Sequence, residues 1–92
     1  MITAFVLVTV DVARIPEVAQ ALADIEGVSE VYSTTGDWDL ITIVRVAQHD
    51  QLADVIADKV SKTPGVVSTQ THIAFQAYSK HDLEAAFAIG LD

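Results

Sequence analysis

An α+β sandwich in the order β-α-β-β-α-β, with two helices on one face of a four-stranded antiparallel sheet, is the fold this sequence predicts. Three observations predict it. The chain repeats itself: a shift of 38 positions lays Gly27 on Gly65 and Val28 on Val66, and also Val8 on Val46, Val18 on Ile56, Ala19 on Ala57 and Leu22 on Val60. Each half, residues 2–35 and residues 40–78, reads apolar strand, amphipathic helix, glycine turn, strand. A Gly36-Asp37 turn between two β-rich runs joins the halves as a hairpin. Two βαβ-type units linked in this way give the ferredoxin-like arrangement.

The first strand, about Ile2 to Val10, is apolar on both parities, with Phe5 and Leu7 on one face and Ala4, Val6, Val8 and Val10 on the other. A strand with two apolar faces is covered on both. One cover is the helix pair, and the other is expected to be a second subunit. The first helix opens near Ala13 to Pro16, where proline fits because its missing N–H would be unpaired anyway. Ile15, Val18, Ala19, Leu22 and Ile25 form its buried stripe, and Gly27 stops it. The second strand spans about Val28 to Thr35 and the third Leu40 to Val46. The second helix is expected to start at Asp50 as N-cap, to bury Leu52, Val55, Ile56 and Val60, and to end at Thr63-Pro64-Gly65. The fourth strand, Val66 to Tyr78, places Val67, Thr69, Thr71, Ile73, Phe75 and Ala77 on one face. One domain thus covers residues 1–80, and the tail over residues 81–92 reads as a short helix with Leu83 and Phe87 seeking an apolar surface.

Composition narrows the function. The 92 residues are 51% apolar and only 20% charged, rich for a domain that must also face water, so part of the apolar surface is expected to meet a partner. Five Lys and Arg against thirteen Asp and Glu give a formal charge of −8, which opposes direct binding to nucleic acid or to an anionic membrane. The absence of cysteine excludes disulfides, thiolate metal sites and a cysteine nucleophile, and agrees with a cytoplasmic location. Met1 to Phe5 lead straight into a strand with no signal-peptide pattern, and no apolar run is long enough to span a bilayer.

Catalysis and metal binding find little support. His49, His72 and His81 lie at a helix start, on a strand and at the tail junction, none with a second histidine or carboxylate at ligand spacing like His-x-x-x-His. No catalytic residue, metal or cofactor is expected. The hairpin offers more. Asp37 and Asp39 are two apart, which in a regular strand puts both carboxylates on one face, as acceptors for a ligand's ammonium group. Ordinary turn chemistry explains the same residues without a ligand. Trp38 carries a large apolar ring at the hairpin tip and reads equally as an interface anchor or a ligand contact. Thr69 and Thr71 share a face of the last strand, where their hydroxyls could serve a ligand or simply reflect β-propensity.

Gly36-Asp37-Trp38-Asp39-Leu40 before an apolar strand resembles the Gly-Asp-aromatic-Asp hairpin of the effector-binding domain of Lrp/AsnC transcription regulators. Pro64-Gly65-Val66-Val67-Ser68-Thr69-Gln70-Thr71 resembles that domain's Pro-Gly-Val strand entry with its Thr-x-Thr pair. The resemblance covers about residues 1–80. It implies dimers that pair through their sheets as a dimeric α+β barrel, rings of dimers such as octamers, and small ligands, typically amino acids, held in clefts between dimers. Carried over by position, Gly36, Asp37, Trp38 and Asp39 would line that cleft from the hairpin, with Thr69 and Thr71 from the last strand. Full-length members carry an N-terminal helix-turn-helix domain, whereas Met1 here stands almost at the first strand, so a stand-alone effector-binding module is expected.

The expected function is therefore a homo-oligomeric amino-acid-binding regulatory module without enzymatic activity, acting through a full-length regulator as partner. Rival readings are an ACT-like metabolic regulatory domain, against which the hairpin argues, and a small dimeric α+β barrel enzyme of the cofactor-independent monooxygenase type. The enzyme needs polar residues converging on a strand face, where this chain places mainly Val, Ile, Phe and Ala. A purely structural oligomerisation domain is the third.

Overall fold

Strands β1 (Ile2–Val10), β2 (Val28–Ser33), β3 (Leu40–Val46) and β4 (Val66–Ile73) form one antiparallel sheet in the order β2-β3-β1-β4. Helices α1 (Ile15–Ala23) and α2 (His49–Ala53) make the crossovers. The computed structural model describes residues 1–78 and 80, and within them the predicted ferredoxin-like order is observed.

Strand alternation sorts the two faces. Ala4, Val6 and Val8 lie opposite Val44, Thr42 and Leu40. With Val10 and Val46 they form the sheet side of the core, closed by Val18 and Leu22 from the first helix and Leu52, Val55 and Val60 from the second. Each of the valines and leucines, fully buried, contributes roughly 1.5–3 kcal/mol. On the other face Phe5 lies opposite Ile43 and Leu7 opposite Ile41. Phe5 is 41% exposed there, and both helices among the described residues pack on the opposite face. Among the described residues Thr42 is the one polar side chain placed in the core, wholly buried, and its hydroxyl has no partner there.

The helix starts differ in part from expectation. A 3₁₀ turn (Val12–Arg14), capped by the Asp11 carboxylate accepting from the Ala13 amide at 3.0 Å, leads into α1, where Pro16 occupies the first turn. In α2 the N-cap is Gln48, not Asp50. Gln51 decides this by reaching back to accept from the Gln48 and Ala47 amides at 2.9 and 3.0 Å, a capping box built from two glutamines. Asp50 lies instead in the first turn, a favourable place for a negative charge.

The internal repeat is real but not uniform. Beyond α2 the chain widens into a π-helical stretch (Asp54–Val60), with the Ser61 amide donating to the Ile56 carbonyl five residues back at 2.9 Å. That extra residue places the buried Val55 and Val60 five apart, where the buried Val18 and Leu22 of α1 are four apart. Val55 rather than Ile56 is consequently the counterpart of Val18. The packing agrees: a Cβ at Gly27 would stand 2.8 Å from Val55 Cγ2, and one at Gly65 2.5 Å from Val18 Cγ2. Each helix presses on the turn that ends the other half. Just past those turns both outer strands carry an irregularity, at Val28/Glu30 in the β2–β3 pairing and opposite Thr9/Val10 in the β1–β4 pairing. It leaves Val67 72% exposed, off the alternation expected of it.

Two strands end sooner than the sequence suggests. β2 stops at Ser33 rather than Thr35, because Thr34 turns its hydroxyl to the Trp38 carbonyl at 2.8 Å and closes the hairpin. β4 stops at Ile73 rather than Tyr78. The Ala74 amide still donates to the Thr3 carbonyl at 2.9 Å, but the ladder does not continue past it, and Phe75 and Tyr78 stand exposed. The helix expected over residues 81–92 lies outside the described residues.

Candidate ligand-binding site

The hairpin between β2 and β3 is held from its base. Asp39 carries three hydrogen bonds: its amide donates to the Val8 carbonyl at 3.0 Å, its carbonyl accepts from the Thr34 amide at 3.0 Å, and its Oδ2 accepts from the Val10 amide at 2.9 Å. Val8 is the last β1 residue in register with β3, opposite Leu40. Val10 lies beyond that ladder, and its amide would lack a β3 partner without the carboxylate. Trp38 is half-buried, whereas Gly36 and Asp37 are exposed. Gly36 has φ 108°, a conformation glycine adopts without strain, and among the described residues nothing lies within 4 Å of where a Cβ would stand. Its backbone is open to close approach.

β3 begins at Leu40, so strand alternation does not govern Asp37 and Asp39. Asp39 turns to β1, and Asp37 remains exposed to solvent. Thr69 lies opposite Val8, which in turn lies opposite Leu40, so one row crosses from Thr69 to the hairpin base. Two strand spacings separate its ends, about 10 Å. Thr71 sits one row further along, opposite Val6, and is exposed. The fold therefore brings Gly36, Asp37, Trp38, Asp39 and Thr69 to one end of the sheet, with Thr71 set back. Grooves of the protomer lie elsewhere. One, of about 300 Å³, is bordered by Glu26, Gly27, Gln51, Asp54 and Lys59. Another, of about 320 Å³, is bordered by Thr3, Phe5, Arg45 and Phe75.

A charged cluster on the open sheet face was not singled out by the sequence. Glu30 accepts from the Tyr32 hydroxyl and pairs with Arg45 at 3.3 Å. The Tyr32 hydrogen bond, aided by Arg45, lowers the Glu30 carboxyl below its ordinary value, and Glu30 raises the Tyr32 phenol. The two-residue spacing of Glu30 and Tyr32 was a signal, but Arg45 joins them only through the β2–β3 register. Among the described residues no group of three His, Cys, Asp or Glu is placed to hold a metal ion, and no helix is long and apolar enough to cross a membrane.

The family model described as the Lrp/AsnC ligand binding domain matches residues 3–83. The chain belongs to the Lrp/AsnC ligand-binding domain family. The HTH-type transcriptional regulator FL11 of Pyrococcus abyssi is 34% identical over 77 residues, covering 84% of this chain and 50% of the regulator. This Lrp/AsnC domain thus spans about half the length of the curated relatives it matches. The crystal structure of TTHA0845 from Thermus thermophilus is 40% identical, with a TM-score of 0.81, over 87% of this chain and 100% of that one. A feast or famine regulatory protein from M. tuberculosis, solved as a complex with L-methionine, is 29% identical with a TM-score of 0.71, over 87% of this chain and 54% of that one.

Proposed function

We propose that this Lrp/AsnC domain is a homo-oligomeric sensor that binds an amino acid in clefts between dimers, without enzymatic activity, and acts through a full-length regulator rather than on DNA itself. The observation that carries the reading is the hairpin: a fixed base, an exposed Asp37 carboxylate and a Gly36 backbone open to approach, all at one end of the sheet. Gly36, Asp37, Trp38, Asp39, Thr69 and Thr71 are the proposed ligand residues. Among the described residues nothing stands within 4 Å of a Cβ built at Gly36, which favours a cleft completed by a neighbouring dimer. The open face with Phe5 41% and Tyr32 51% exposed favours sheet-to-sheet pairing. An amino acid as ligand is supported by the L-methionine complex of the mycobacterial relative. The charge of −8 favours a role without direct DNA contact.

A thermal-shift screen over the proteinogenic amino acids, paired with light scattering, tests the proposal. An amino acid at 100 times its Kd adds about 2.7 kcal/mol to the folded state. For a domain of this size that raises Tm by about 10–20 °C. No shift with any amino acid overturns the ligand assignment, and a monomer mass at micromolar concentration overturns the cleft.

A further inference from the structure

The two hairpin aspartates do different work. Resting on the amino-acid reading above, we infer that Asp39 is a positioning residue that holds the ligand hairpin to β1 through the Val10 amide, and that Asp37 is the carboxylate that meets the ligand's ammonium group. Asp39 spends its backbone N–H, its carbonyl and its Oδ2 inside the protomer, on Val8, Thr34 and Val10. The Val10 amide belongs to a residue only 5% exposed, on the strand that runs directly into Asp11, whose own amide donates to the Gly65 carbonyl at 2.9 Å. The carboxylate therefore fastens a surface hairpin to the sheet at the point where β1 leaves β3. Asp37 accepts no hydrogen bond from described residues, is exposed, and adjoins Gly36, where backbone and ligand can approach closely. Asp39 has one carboxylate oxygen committed to the Val10 amide, whereas neither oxygen of Asp37 has a partner among the described residues, which leaves its full acceptor capacity for a ligand.

Conservative and truncating variants separate the roles, because an asparagine oxygen still accepts from the Val10 amide whereas an alanine does not. The experiment is calorimetric titration of wild type, Asp37→Asn, Asp39→Asn and Asp39→Ala with each proteinogenic amino acid singly, together with amide hydrogen exchange at Val10. Asp37→Asn is expected to weaken binding more than tenfold and leave Val10 exchange unchanged. Asp39→Asn is expected to stay within about threefold of wild type in affinity and to keep Val10 protected. Asp39→Ala is expected to lose Val10 protection more than tenfold while core amides such as Leu22 exchange as before, and to weaken binding. Loss of affinity in Asp39→Asn with Val10 still protected would make Asp39 a direct contact and overturn the assignment. Unchanged Val10 exchange in Asp39→Ala would overturn the anchoring, and needs no ligand. A wild type that binds no amino acid defeats the ligand reading while the exchange result still decides the role of Asp39.

Discussion

Two kinds of turn shape this molecule. Gly27 and Gly65 end the two halves of the repeat and are pressed by Val55 and Val18 of the opposite helices, so neither has room for a side chain. Gly36, at the hairpin, has a similar positive φ, but among the described residues nothing stands within 4 Å of where its Cβ would be. The first pair closes the core, and the third keeps backbone accessible. The contrast teaches that a glycine in this fold is not one signal: its meaning depends on whether core or solvent lies where its Cβ would be. It also separates what stabilises the domain from what is proposed to serve a ligand, and each side can be perturbed alone.

The largest effect is expected where space is missing. Gly65→Ala combines left-handed backbone strain, about 1–2 kcal/mol, with overpacking against Val18, about 1–3 kcal/mol. Denaturant unfolding should therefore show a loss of roughly 2–5 kcal/mol, and Gly27→Ala should follow it. Gly36→Ala should cost only the strain, about 1–2 kcal/mol; an equal loss at both sites would erase the distinction between the turns. Next comes Asp39→Ala, which strips the Val10 amide of its acceptor and should cost about 1–3 kcal/mol in the same assay. Thr42→Val has the opposite sign. Removing a buried, unpartnered hydroxyl with little change of shape should raise stability by about 1 kcal/mol.

The smallest effect is electrostatic. Glu30 has a folded pKa lowered from 4.5, so the stability it contributes is present above that value and is lost as the pH falls through its folded pKa. Tyr32 is raised from 10.0, so its contribution is present below that value and is lost as the pH rises through its folded pKa. Both groups are exposed and solvent-screened, so pH scans of Glu30→Gln against wild type should differ only slightly, and on the acid side.

Much of the fold was legible because its signals are local and repeated. The valine alternation of β1, the stop at Gly27 and its echo at Gly65 each follow from residue chemistry. The π-helical insertion was not legible: a shift of 38 fits the turns, and only the five-residue step from Val55 to Val60 reveals that the second helix carries one residue more. The capping box of Gln48 and Gln51 was missed because aspartate is ordinarily the better cap, and a glutamine reaching back over three residues outweighed it here. At the site, the motif pointed to the hairpin, but the division of labour between Asp37 and Asp39 depends on the Val10 amide. That amide lies 29 positions from Asp39 in sequence, and only the folded sheet brings the two together.

The most direct test of the account is a map of where an amino acid binds, read from backbone amide and indole NMR shifts during titration with each amino acid in turn. The largest changes are expected at Gly36, Asp37, Trp38 and Thr69, with Gly27 and Gly65 nearly still. Changes centred on the repeat turns or on the groove between Glu26 and Lys59, or no changes with any amino acid, would contradict it.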